Sequence, residues 1–147
     1  MCIRDRGNWV GLVLVAAAEA GVRDLLLLGY HGKLIKLAGG IFHTHHHLAD
    51  GRLEVLVALG LDVGLSAAQL LQLRSAASVE EAFTALEADQ ATALGQHLVG
   101  MVEQRSQSYV ARYGDWSMRI GAALFDRSRT LRWWGPEGEK RFFTLRD

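Results

Sequence analysis

Apolar and polar positions alternate in blocks that predict helices around a buried strand, closed by a hairpin. Residues 9–20 are apolar and Ala-rich, and the run stops at Gly21. Asn8 is a good N-cap and Gly21 a good C′ residue, so this run predicts a helix. Its apolar surface is almost all-round, which predicts packing against a sheet. Val22-Arg23-Asp24 then leads into Leu25-Leu26-Leu27-Leu28-Gly29. A short apolar run that ends at Gly directly after a helix reads as a buried parallel strand. Residues 29–33 read as a loop at its carboxyl end, where open α/β sheets place their ligands. Residues 33–37 begin a short helix, broken by Gly39-Gly40, and a His-rich polar turn follows. Residues 48–59 predict another helix, with Asp50 in its first turn where the helix dipole favours an anion.

Farther on, Ser66 caps a helix over 67–74. Ser78-Val79-Glu80-Glu81 is a capping box that opens 79–88. A longer helix is predicted over 91–113, with Leu94, Leu98, Met101, Val102 and Tyr109 broadly on the helical period, stopped by Gly114-Asp115. Residues 117–125 and 130–135 read as two strands around a turn at 126–129, a β-hairpin. Trp133-Trp134 fits packing within that hairpin. The expected class is α/β, a Rossmann-like parallel or mixed sheet with flanking helices and a C-terminal hairpin.

Composition narrows the picture. The chain has 147 residues, half of them hydrophobic, and 16 basic against 16 acidic side chains. That suits one domain with a real core and excludes disorder. Zero net charge argues against a nucleic-acid partner. The apolar run near the N-terminus falls short of the roughly 20 residues that span a bilayer, so no membrane partner is expected. Met1-Cys2-Ile3-Arg4-Asp5-Arg6 back-translates to ATG TGT ATA AGA GAC and AG, a transposon end used in sequencing-library adapters. These six residues are set aside as a scar. The single cysteine goes with them, so no thiol or disulfide chemistry is read from it.

Candidate chemistry concentrates between Gly29 and Asp50. Gly29-x-x-Gly32-Lys33 is too short for a phosphate loop, and Leu34 stands where a hydroxyl should hold Mg²⁺. His43, His45 and His47 would share one face of a strand and suit a metal such as Zn²⁺. No further His or acidic cluster completes a shell, since His97 lies inside a long helix. A solvated polar loop is the bland reading, expected for His46 and His97. It explains poorly why Lys33, Lys36, two Gly pairs and the histidines converge beside a strand end.

The run from Gly29 to His45 resembles the signature of the cobalt-precorrin-5B C1-methyltransferases of anaerobic cobalamin biosynthesis. Gly7, Asn8 and Gly11 match that family's helix start. Gly29, Gly32, Lys33, Leu34 and Lys36 match its Gly-His-x-Gly-Lys-Leu-x-Lys loop. Gly40, Thr44, His45, Ala49 and Asp50 match the element that follows, and Leu124-Phe125-Asp126-Arg127 resembles its C-terminal hairpin. Tyr30 stands where the family often has His, with His31 beside it, and His46 and His47 replace commoner small or polar residues. The resemblance covers residues 7–135. It implies that 7–147 is the C-terminal α/β domain of a longer two-domain enzyme with a Thr-Gly-rich N-terminal portion, and that this piece alone is inactive.

The resemblance further implies S-adenosylmethionine as co-substrate and a polycarboxylate corrin precursor as substrate, its cobalt carried by the substrate and not by the protein. It implies a cytoplasmic bacterial enzyme and leaves room for a homo-oligomer. His45 and His31 are the candidate proton-transfer residues. Lys33 and Lys36, three apart on one helix face, are candidates for pairing with substrate carboxylates. Gly29, Gly32, Gly39 and Gly40 would let backbone approach a bulky ligand. Thr44 joins the substrate-binding set, as does Asp50, which would cap or orient a neighbouring His. The competing reading is a non-enzymatic domain that binds a tetrapyrrole or metal through His43–His47.

Overall fold

The computed structural model describes residues 9–45 and 50–143. In chain order it contains α1 (Val10–Glu19), β1 (Asp24–Tyr30), α2 (His31–Ala38), α3 (Arg52–Asp62), α4 (Ala67–Ser75), α5 (Val79–Thr84), α6 (Ala88–Ala111), β2 (Arg119–Phe125), β3 (Leu131–Trp134) and α7 (Pro136–Phe142). The strands form one sheet in the order β1-β2-β3. β1 runs parallel to β2, with Asp24 opposite Arg119 and Tyr30 opposite Phe125. A parallel pair needs a long crossover, and here it carries α2 to α6. β2 and β3 form the predicted antiparallel hairpin, irregular between Leu124 and Phe125. This is a mixed α/β domain with flanking helices. One parallel pair and a hairpin do not by themselves define a Rossmann arrangement.

α6 is the organising element. Leu94, Leu98, Val99 and Val102 are completely buried on it. That face meets α2, β2 and β3, and to a lesser extent α1 and α3. Each buried leucine contributes about 1.5–3 kcal/mol of apolar transfer. Gly95 lets Trp133 lie against the helix, since a Cβ there would fall 2.0 Å from the indole.

The same helix buries a charge. Glu103 is 5% exposed. Its Oε1 accepts from the backbone N–H of Ala122 at 2.9 Å and of Gly138 at 2.8 Å. Its Oε2 accepts from Glu137 N–H at 3.0 Å. One carboxylate therefore fills β2 bonding capacity beyond the end of β3 and caps the first turn of α7, where the dipole also favours an anion. On the other face of β2, Gly121 and Gly138 allow a close approach: a Cβ at Gly121 would lie 2.6 Å from Gly138 Cα.

Several local expectations shift. Trp9 occupies the N-cap of α1 without a side-chain bond, and Asn8 lies outside the described residues. α1 is not buried all round: it packs on α6 while Leu12 and Val13 stay exposed. Ser66 and Gln69 form a full capping box on α4. Ser78 Oγ accepts from Glu81 N–H, but Glu81 reaches back to Ala77 N–H, so the predicted box is not reciprocal at the cap residue. α5 ends at Thr84, short of 88, and α6 already begins at Ala88.

Candidate functional site

No loop separates β1 from α2. Tyr30 ends the strand and is the N-cap of the helix, which opens directly at His31. The helix start therefore sits at the carboxyl end of a parallel strand, in the place expected for a ligand. Its first turn carries no acidic side chain and no side-chain cap.

His31 is 1% exposed. Its Nε2 lies 2.8 Å from Glu80 Oε2 at the start of α5. Glu80 Oε2 also accepts from Arg127 N–H in the hairpin turn, at 3.2 Å. The ring packs among Tyr30, Phe83 and Trp133, with centroids 4.6, 5.4 and 5.7 Å away. Nδ1 is buried without a partner among the described residues. Neutral imidazole with its proton on Nε2 suits this setting, because it donates to Glu80 and leaves Nδ1 uncharged. Burial pushes the imidazole below its ordinary range, and Glu80 opposes that shift. His31 thus ties α2, α5 and the hairpin turn together from beneath the strand end.

The two lysines part company. Lys33 is exposed, whereas Lys36 is 3% exposed. They do not form one solvated face: the α2 side that carries Lys36 turns into the protein, and its Nζ donates to the Thr44 carbonyl at 3.3 Å. Burial pushes the Lys36 ammonium down, and Asp50 holds it up in part. Asp50 does not stand in the first turn of α3. It precedes Gly51, which caps that helix in the left-handed conformation. Asp50 does not orient a described histidine either: Oδ1 and Oδ2 accept from Arg52 Nε and Nη2 at 2.5 and 3.1 Å. That pairing holds the Asp50 carboxyl below the usual carboxylate range.

Gly29, Tyr30, Lys33 and Thr44 line one cavity of about 330 Å³, together with Val10, Val13, Leu14, Leu34 and residues 25–28 of β1. Its walls are mostly apolar, with Lys33, Thr44 and Tyr30 as the polar groups. Thr44 is buried and His45, next in sequence, is half-buried. Residues 41–45 carry no regular structure, so His43 and His45 do not share a strand face. His43 is exposed with its ring 5.1 Å from Trp9. Among the described residues no group of three or more His, Cys, Asp or Glu is placed to hold a metal ion. His46, His47 and Ala49 lie outside the described residues.

The glycines approach the protein's own side chains. A Cβ on Gly29 would meet Leu34 at 2.8 Å, one on Gly32 would meet Tyr30 at 2.5 Å, and one on Gly39 would meet Val55 at 2.4 Å. Gly40 has φ +79 and open space around it, a turn that an L side chain resists. The structure adds Tyr30, Glu80 and Arg52 to the neighbourhood. Sequence offered only faint signals for them: Tyr30 by adjacency to the motif, Glu80 as a member of the capping box.

These features define a mixed α/β domain whose polar groups gather at the carboxyl end of a parallel strand. The family described as "CbiD, C-terminal domain" has a model that matches residues 43–136, and this chain belongs to that family. The chain is 88% identical over 141 residues to a cobalt-precorrin-5B C(1)-methyltransferase of Synechococcus sp. (strain CC9605), covering 96% of this chain and 38% of that protein. A protein of the same name from Parasynechococcus marenigrum (strain WH8102) is 76% identical over 141 residues, 96% of this chain and 40% of its own length. Another, from Prochlorococcus marinus (strain MIT 9303), is 60% identical over 142 residues, 95% and 37% respectively. The chain therefore spans about two fifths of the length of these relatives. No solved structure matches it. No helix among the described residues is long and apolar enough to cross a membrane.

Proposed function

We propose that this chain is the C-terminal domain of an enzyme that methylates C1 of cobalt-precorrin-5B with S-adenosylmethionine, giving cobalt-precorrin-6A in anaerobic cobalamin biosynthesis. The observation that carries the reading is family membership together with the 88%-identical relative of that name. The setting is a cytoplasmic bacterial enzyme whose partner is a small corrin precursor.

In the reaction a carbon–carbon bond forms between C1 and the donor methyl. The sulfur–methyl bond breaks, and its electron pair stays on sulfur. C1 must present electron density in line with that methyl, so positioning dominates the catalytic demand. A cavity of about 330 Å³ stands at the lower end of small-molecule sites, so it fits one edge of a macrocycle and not the whole ring. Lys33, exposed at the cavity, pairs with a substrate acetate or propionate. Lys36 acts through Thr44: its ammonium fixes the Thr44 carbonyl and so the segment that carries His45. His45 is the candidate base for a proton lost near C1. His31, buried and paired with Glu80, positions the strand end, and Gly29, Gly32, Gly39 and Gly40 shape it. Asp50 supports the same region through Arg52.

The test incubates the full-length Synechococcus relative with methyl-labelled S-adenosylmethionine and cobalt-precorrin-5B. Label at C1 of the product supports the reading. Corrin binding without label transfer overturns it in favour of a non-enzymatic binding domain.

A further inference from the structure

Among the described residues, β1 has a neighbour on one side only. Along its free edge runs the apolar end of the cavity, between residues 25–28 of β1 and Val10, Val13 and Leu14 of α1. Leu28 is 59% exposed and Val13 46%. Parallel strands are normally covered on both faces, and a bare apolar edge is a template for another strand.

The topology says which strand fits. α1 leads into β1 through the Gly21 turn, the same order as in the second half of a strand–helix–strand unit. α1 lies on the α6 side of the sheet: Leu14 and Ala18 join the common core, and Gly11 abuts Tyr109 of α6. α7 lies on the other face, with Gly138 against Gly121. Crossovers between parallel strands share one hand in about 98% of cases. A strand on the free edge of β1 that fed α1 would have the same hand as the crossover from β1 through α2–α6 to β2. A strand feeding α1 from the opposite direction would not.

There is polypeptide to supply it. The chain spans 38% of the Synechococcus relative, and the matching family model is that of a C-terminal domain. We propose that the polypeptide preceding this domain in the full-length protein contributes a strand that docks parallel to β1 on its free edge, covers Val13 and Leu28, and closes the open side of the cavity. The inference rests on family membership and not on the methylation chemistry.

The test places a single cysteine by Leu28→Cys, and separately by Gln72→Cys on exposed α4, in this chain with Cys2→Ser. The same two substitutions go at the aligned positions of the full-length Synechococcus relative, with its other cysteines replaced. Maleimide labelling is followed in all four, circular dichroism confirms folding, and sedimentation gives the mass. Hydrogen exchange over β1 repeats the comparison without any substitution. The expected result is labelling at the Leu28 position at least ~10-fold slower in the full-length protein, with the Gln72 position unchanged and this chain monomeric. Equal labelling and equal β1 exchange in both would overturn the proposal. So would protection already present in this chain as a dimer, because a second copy would then hold the edge. Neither readout depends on methyl transfer, so the two readings fail separately.

Discussion

The two edges of the sheet are finished differently. At the β3 edge the strand is only four residues long, Trp133 is buried against α6, and α7 folds back over β2. Glu103 seals the junction by accepting three backbone N–H groups at 2.8–3.0 Å. At the β1 edge, leucines face an open groove and the polar groups of the candidate site stand around its end. On the β3 side the N–H of Ala122 that β3 does not reach is bonded from within the domain, whereas β1 has no second neighbour among the described residues. The candidate site lies on the open side.

The sharpest way to break this contrast is at Glu103. Glu103→Ala leaves three buried N–H groups without an acceptor and is expected to cost about 4 kcal/mol in urea unfolding. Glu103→Gln keeps one oxygen acceptor and should cost less. A loss below ~1 kcal/mol for the alanine variant would show that the seal contributes little.

His31 comes next. His31→Ala removes a ring packed among Phe83, Trp133 and Tyr30 and is expected to cost about 3 kcal/mol. Its protonation sets a pH signature. The folded-state pKa is lowered by burial, so acid protonates the unfolded state first. The stabilising contribution is complete above the ordinary value of 6.5 and is lost as pH falls from there toward the lowered folded value. Urea midpoints measured from pH 7.5 down to 5 should fall in the native chain, with a shallower fall in the His31→Ala variant. Parallel slopes would contradict the burial.

Leu28 marks the small end of the scale. Leu28→Ser in this chain exposes nothing new and should change stability by less than ~0.5 kcal/mol. A larger loss would mean that the β1 edge is already packed.

How much of this was legible in the sequence depends on how local each cause is. The parallel strand expected at residues 25–29, the caps at Ser66 and Ser78, and the terminal hairpin rest on neighbours within a few residues and show in the pattern. The expected burial of that strand does not hold, because among the described residues β1 is an edge strand with Leu28 59% exposed. α7 also has a local signal, Gly135, Pro136 at its first turn and Glu137, and lies past the last element that the hydrophobic pattern predicts. Glu103 could have been flagged as a charge on the apolar face of a long helix, but its three partners come from two distant elements. The candidate site was legible as a place and not as an arrangement. His31 is buried because Glu80, 49 residues away, meets it, and Lys36 is buried because its carbonyl partner arrives from the segment after the Gly39-Gly40 turn. Asp50 pairs with Arg52 because Gly51 delays the helix start.

The proposed ligand site lies where β1 meets α2, and Lys33 is the side chain whose replacement tests it. In the full-length Synechococcus relative, replacing the lysine aligned with Lys33 by methionine removes the exposed cation of the cavity while keeping its stem. Steady-state methylation of cobalt-precorrin-5B should then show KM raised ~10-fold, the loss of one charge-assisted contact, with kcat close to the native value. An unchanged KM in a folded variant would contradict the placement of the site.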